Sequence, residues 1–127
     1  MSNVKNILVV DDSSIVRLYY RDALVRAGFH VDEAFNGLEA LEKVLTAAPD
    51  LIIVDINMPK MDGVTFLQAL RRHALPIGSI PALVVSTEAG EDDLATAVAA
   101  GANFYFVKPI AQATLVQYAK LFAGVPA

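Results

Sequence analysis

The stretch Leu51–Gly63, LIIVDINMPKMDG, decides how the rest of the chain is read. The apolar run Leu51 to Val54 leads directly into Asp55, and Pro59 and Gly63 follow within a few residues. A short apolar run bounded by turn residues predicts a strand buried on both faces. Asp55 then sits where the strand surfaces, and a carboxylate there is costly to desolvate unless a cation or hydrogen-bond donor meets it.

Working outward, the same pattern recurs. Asn6–Val10 is an apolar strand ending in Asp11-Asp12, and Ser13-Ser14 opens a helix with Val16, Tyr19, Tyr20, Ala23, Leu24 and Ala27 on one face. Gly28 stops it. Phe29–Ala34 is a weaker, alternating strand suited to a sheet edge, and Gly37 opens a helix with Leu38, Leu41 and Leu45 at helical spacing. After Asp55 comes a helix from Val64 to about His73, with Val64, Leu67 and Leu70 inward. Leu75–Pro81 is a connection, and Ala82–Val85 is a strand ending at Ser86-Thr87. Glu91–Ala100 is a small-residue helix (Leu94, Ala95, Val98, Ala99) stopped at Gly101. Phe104–Val107 is a strand ending at Lys108-Pro109, and a last helix from Gln112 to Phe122 buries Leu115, Tyr118, Ala119 and Phe122 before a tail, Gly124–Ala127.

Strands alternating with helices imply an α/β fold, doubly wound, with a five-stranded parallel sheet and helices on both faces. In such folds the ligand site lies outside the carboxyl ends of the strands. Those ends carry Asp11 and Asp12, Asp55, Ser86 or Thr87, and Lys108. Ser86 is preferred over Thr87 because the run Leu83-Val84-Val85 ends directly before it. Carboxylates converging on one edge repel one another unless a cation joins them, and an oxygen-only donor set suits Mg²⁺. With Lys108 and a Ser86 hydroxyl alongside, the edge suits a phosphoryl group. An ionised Asp55, central among them, is the best candidate nucleophile for an acyl phosphate.

Composition bounds the alternatives. The 127 residues hold one domain, and 55% of them are hydrophobic, which suits a sheet buried between helical layers. There is no cysteine, which excludes disulfides, thiol redox chemistry and thiolate metal sites. His30 and His73 lie far apart and are expected at the surface rather than as metal ligands. A net charge of −4 argues against nucleic-acid binding. No apolar run is long enough to span a membrane, so a cytoplasmic protein is expected.

At these residues the chain resembles the receiver domain of two-component response regulators. The resemblance rests on Asp11-Asp12, on Asp55 in Asp-Ile-Asn-Met-Pro-Lys-Met-Asp-Gly, on Ser86 and on Lys108-Pro109, and it covers practically the whole chain in order. It implies a flavodoxin-like (βα)5 fold of strand order 2-1-3-4-5. It also implies a histidine kinase as phosphodonor to Asp55, with Mg²⁺ required. Asp12, Asp55 and the backbone carbonyl of Asn57 would be direct metal ligands, with Asp11 acting through a bound water. Lys108 would pair with the phosphoryl group, and the Lys108–Pro109 bond would be cis. Ser86 would swing to the phosphate and Tyr105 would turn inward; ordinary packing is the rival reading for Tyr105. The protein would be no enzyme beyond its own phosphotransfer and autodephosphorylation.

Residues 1–127 are expected to be a single receiver domain with no output domain, a monomer acting by phosphorylation-dependent protein binding. The run Ser86-Thr87-Glu88, with Asn57 two residues after Asp55, resembles chemotaxis regulators. Asn57 and Glu88 would then tune dephosphorylation, and the flagellar motor switch would be the target. A phosphate carrier or sink is the alternative. An aspartyl-phosphate phosphatase of the haloacid-dehalogenase type is disfavoured, because Asn57 stands where that class needs a second catalytic Asp. A dinucleotide or flavin site lacks its glycine-rich loop after the first strand. Three departures from the family pattern stand out: Ile110 follows Lys-Pro where an aromatic is common, Leu75–Pro81 is long, and Lys120 is the one charge of the last helix. That greasy helix face points to docking of a partner helix or peptide.

Overall fold

The computed structural model describes residues 4–58 and 60–125. The turn assigned to Pro59 and the last two residues of the tail lie outside them. In chain order the elements are β1 (Asn6–Val10), α1 (Ser14–Arg26), β2 (His30–Ala34), α2 (Gly37–Thr46), β3 (Leu51–Val54) and α3 (Gly63–Arg71). A single 3₁₀ turn (Ile77–Ser79) precedes β4 (Ala82–Ser86), α4 (Glu91–Ala100), β5 (Phe104–Val107) and α5 (Gln112–Ala123). The strands form one parallel sheet of order β2-β1-β3-β4-β5, the flavodoxin-like arrangement the resemblance implies.

Local chemistry sets the helix starts. Ser13, Asn36 and Asp62 each accept a backbone N–H from three residues on, at 3.3, 2.8 and 2.8 Å, satisfying donors the first turn leaves free. Gly101 ends α4 at φ +114, a conformation that disfavours any side chain. Among the described residues, no helix is long and apolar enough to cross a membrane.

Strand alternation divides the core into two layers. Ile7, Val9, Ile53, Leu83 and Val85 pack with Tyr20, Leu24 and Leu115 of α1 and α5. Leu8, Val10, Ile52, Val54 and Val84 pack with residues of α2, α3 and α4 on the other face. This parity positions the site.

Several helix faces differ from expectation. In α2, Leu38 and Leu45 are 51% and 48% exposed, while Ala40 and Val44 are fully buried and Leu41 is half-buried. Both stripes have helical spacing. The choice falls to Gly37, whose N–H bonds the Met61 carbonyl at 3.0 Å and whose missing Cβ lets Met61 close in. In α4, Ala97 and Ala100 face the sheet and the larger Leu94 and Val98 face solvent. Tyr19 stays largely exposed, with its hydroxyl donating to the Ile110 carbonyl at 2.9 Å. In α5, Leu115, Ala119 and Ala123 are buried, whereas Tyr118 and Phe122 only flank the core. The long Leu75–Pro81 connection is held by Arg71, which donates to the carbonyls of Gly78, Ile80 and Gly101. Burial lowers that guanidinium's pKa, and no carboxylate pairs with it among the described residues.

Candidate functional site at the carboxyl edge of the sheet

The ladder runs one residue past three strand ends. Asp11 N–H donates to the Ala34 carbonyl at 3.1 Å, Asp55 N–H to Val10 at 2.9 Å, and Lys108 N–H to Ser86 at 2.7 Å. Alternation therefore carries on: Asp11 follows the side of Val9, Asp55 that of Ile53 and Lys108 that of Phe106, all toward α1 and α5. Ser86 follows Val84, and Tyr105 packs on the same opposite layer beside α4.

Asp11, Asp12 and Asp55 offer carboxylate oxygens that all lie within 4.8 Å of one another. Asp11 and Asp55 are 1% and 7% exposed, whereas Asp12 is open to solvent. Lys108 Nζ lies 2.9 Å from Asp11 Oδ2 and 3.5 Å from Asp55 Oδ1. Asp11 Oδ1 accepts the Ser13 N–H at 2.9 Å, so both its carboxylate oxygens are engaged. Asp12's carboxylate has no protein partner among the described residues. Burial, reinforced by Asp11, pushes the Asp55 pKa up, while Lys108 and the Asn57 N–H oppose that rise. Burial works against the charge on Lys108, but Asp11 and Asp55 together outweigh it and raise its pKa.

One ammonium among three carboxylates leaves net negative charge in a largely buried cluster. A divalent cation with hard oxygen preference fits that deficit, and Asp12 and Asp55 are the carboxylates least committed elsewhere.

Ser86 is fully buried, and its Oγ accepts the Glu88 N–H at 3.1 Å. Tyr105 is half-buried and donates its hydroxyl to the Glu88 carbonyl at 2.7 Å. The two residues thus grip opposite sides of one peptide segment. Asn57 and the Glu88 side chain are exposed at the rim. The Lys108–Pro109 bond is cis, as the resemblance implies; Leu75–Pro76 is also cis, which nothing in the sequence announced.

The response regulator receiver domain family matches residues 7–120. The chain belongs to that family. It is similar to the transcriptional regulatory protein PrrA of Mycobacterium leprae, at 40% identity over 114 residues, covering 90% of this chain and 48% of that protein. The chain spans about half the length of the curated relatives it matches. Among solved structures, the chemotaxis response regulator CheY4 of Vibrio cholerae is 34% identical with a TM-score of 0.87, covering 94% of this chain and 99% of that one. A response regulator of Chloroflexus aurantiacus has a TM-score of 0.89 at 30% identity, over 96% and 99% of the two chains.

Sequence reasoning missed three parts of this receiver's site. Arg17 donates to the Asp11 carbonyl at 2.6 Å and to Glu33 Oε1 at 3.0 Å, bracing the loop that carries the acidic pair. Its only signal was a basic residue six positions after Asp11. Gly63 lies so close to Asp55 that a Cβ would collide with the Asp55 carbonyl oxygen. Tyr20 is buried on the face shared with Asp11 and Asp55, and burial with those two charges pushes its phenol far up.

Proposed function

We propose that this receiver is a phosphorylatable switch in which Asp55 takes a phosphoryl group from the phosphohistidine of a kinase and the modified protein binds a downstream protein. The observation that carries this reading is the convergence of Asp11, Asp12, Asp55 and Lys108 on one edge. An Asp55 carboxylate oxygen attacks phosphorus; the P–N bond breaks and its electron pair returns to the donor's imidazole nitrogen. Mg²⁺, held by Asp12, Asp55 and the Asn57 carbonyl with Asp11 acting through water, would neutralise charge on the phosphoryl oxygens. Lys108 would turn from Asp11 to the phosphoryl group.

The Ser86 hydroxyl accepts from Glu88, so its own proton is free to be donated to a phosphoryl oxygen. Pulling Ser86 that way loosens its hold on Glu88, which Tyr105 also grips. A phosphate that favours one arrangement shifts the population toward it. The exposed Asn57 and Glu88 stand at the rim, where water reaches the acyl phosphate. The protein is thus no turnover enzyme beyond its own phosphotransfer and dephosphorylation.

For the output we favour the chemotaxis reading, supported by the likeness to CheY4. The likeness to PrrA supports a transcriptional output as the second reading. The test is binding to an N-terminal peptide of a flagellar motor switch protein, with and without beryllofluoride and Mg²⁺. Beryllofluoride stands in for the phosphoryl group on Asp55. About tenfold tighter binding on activation, ~1.4 kcal/mol, supports the motor reading. Equal affinity in both states, with Asp55 labelled by acetyl phosphate, refutes it in favour of a carrier, a sink or a transcriptional output.

A further inference from the structure

Between α1 and the loop after β5 lies a cavity of about 330 Å³ whose walls include Tyr19, Tyr20, Lys108 and Ile110. The two tyrosines differ in what their hydroxyls do. Tyr19 is engaged, donating to the Ile110 carbonyl at 2.9 Å. Tyr20 is 3% exposed, yet its hydroxyl has no hydrogen-bond partner among the described residues. No fully buried side-chain nitrogen or oxygen lacks a partner there, so the hydroxyl is the part of Tyr20 that reaches the cavity. The ring packs in the layer of Val9, Leu24 and Leu115, as a phenylalanine ring would. The hydroxyl adds nothing to that packing.

Asp11 is the neighbouring group whose needs change. Its Oδ1 accepts the Ser13 N–H and its Oδ2 the Lys108 ammonium, each at 2.9 Å. When Lys108 turns to a phosphoryl group, Oδ2 loses its donor, and a buried carboxylate left short of one is destabilising. The other side-chain donors nearby are committed. Arg17 holds the Asp11 carbonyl and Glu33, Tyr19 holds Ile110, and Ser86 works from the opposite layer. The Tyr20 hydroxyl is uncommitted. Helical side chains lean toward the helix N-terminus, which directs Tyr20 from the second turn of α1 back toward the loop of Asp11. Burial, then the charge of Asp11, then that of Asp55 raise the phenol's pKa, so it stays a donor and feels Asp11 more than Asp55.

We infer that Tyr20 is a positioning residue whose hydroxyl donates to Asp11 Oδ2 when Lys108 leaves for the phosphoryl group, so that the buried acid keeps a donor through the switch. The inference rests on the switch reading above and adds a residue to it. In the resting protein the hydroxyl stands in the cavity beside Lys108 and contributes nothing to stability. A carboxylate oxygen accepts more than one donor, so the water through which Asp11 would reach Mg²⁺ keeps its place.

Tyr20→Phe keeps the ring and removes the hydroxyl. In chelator at neutral pH its urea midpoint should match that of wild type. In a Lys108→Met background Oδ2 has already lost its donor, so there the same substitution should lower the folding equilibrium constant about tenfold. With Lys108 intact, calorimetric titration with beryllofluoride in Mg²⁺ should show about tenfold weaker binding to Tyr20→Phe than to wild type. Equal effects on stability with and without Lys108 overturn the inference, since a merely structural hydroxyl gives that result. An unchanged beryllofluoride affinity overturns it as well. If Lys108→Met does not stay folded, Asp11→Ala takes its place. With the acceptor gone, Tyr20→Phe should change beryllofluoride affinity by less than about twofold, and a loss of about tenfold there overturns the inference. Labelling of wild type by acetyl phosphate separates the failures. A labelled Asp55 with either failure condemns the role of Tyr20 alone. An Asp55 that takes no label condemns the switch reading, and the Lys108→Met pair then decides whether the hydroxyl serves Asp11.

Discussion

Lys108→Met removes a cation from between two buried carboxylates while keeping most of the apolar stem. Nζ lies 2.9 Å from Asp11 Oδ2 and 3.5 Å from Asp55 Oδ1, and the side chains of Lys108, Asp11 and Asp55 are 18%, 2% and 8% exposed. At an effective dielectric of about 20, the two attractions come to ~6 and ~5 kcal/mol before the desolvation of the ammonium is set against them. Breaking buried pairs of this kind leaves a net loss of about 3–5 kcal/mol, and that is the deficit expected at pH 7 without divalent ions. The sign of its pH dependence follows from the pKa shifts. Lys108 has a raised pKa, so its contribution is complete at neutral pH and is lost only as pH rises through that raised value. Asp55 is already raised by burial and by Asp11, and Lys108 opposes this. Without Lys108, Asp55 holds its proton to higher pH, so the deficit shrinks on acidification as that unpaired charge disappears. Urea unfolding in chelator at pH 7 and pH 5 reads both effects. Adding Mg²⁺ at about a hundred times its dissociation constant should return ~2.7 kcal/mol through linkage. A deficit below about 1 kcal/mol at pH 7, or one that grows as pH falls, would refute the assignment of Lys108 as the cluster's counter-charge.

Three further outcomes are expected. Asp55→Asn should abolish labelling by acetyl phosphate. Because the raised pKa makes the wild-type protein lose stability as pH rises through it, the neutral variant should also gain on wild type in chelator as pH goes from 4 to 7, read by urea midpoints. Gly63→Ala should cost about 1–3 kcal/mol or more, because the new methyl meets the Asp55 carbonyl, and labelling should slow with it; an unchanged midpoint would refute the close approach. Tyr105→Phe should cost about 0.5–1.5 kcal/mol through the lost bond to Glu88, and amide exchange at the start of α4 should quicken. Unchanged exchange there would show that the hydroxyl does not restrain that segment.

The strands and the residues ending them were legible because each apolar run stops abruptly at a polar residue, so Asp11, Asp55, Ser86 and Lys108 could be assigned to one edge without knowing any contact. The inward faces of α2 and α4 were not. In α2, Leu38-Leu41-Leu45 and Gly37-Ala40-Leu41-Val44 both satisfy helical spacing, and the smaller set won because it allows close approach to the sheet. In α4 the alanines went inward for the same reason, which turned Leu94 and Val98 out. The roles of Arg17 and Arg71 could not be read along the chain, since the carbonyls they serve are brought to them by other elements.

Taken alone, the chain's residues determined the order of strands and helices and the identity of the groups at the strand ends. Those depend on local periodicity and turn chemistry. Only the tertiary structure decided that Asp11, Asp55 and Lys108 share the α1–α5 side of the edge while Ser86 and Tyr105 work from the α4 side. Side-chain parity is set within each strand, but matching it between strands requires the register of the parallel ladders. That register is a contest among whole hydrophobic layers, which no local stretch of sequence contains.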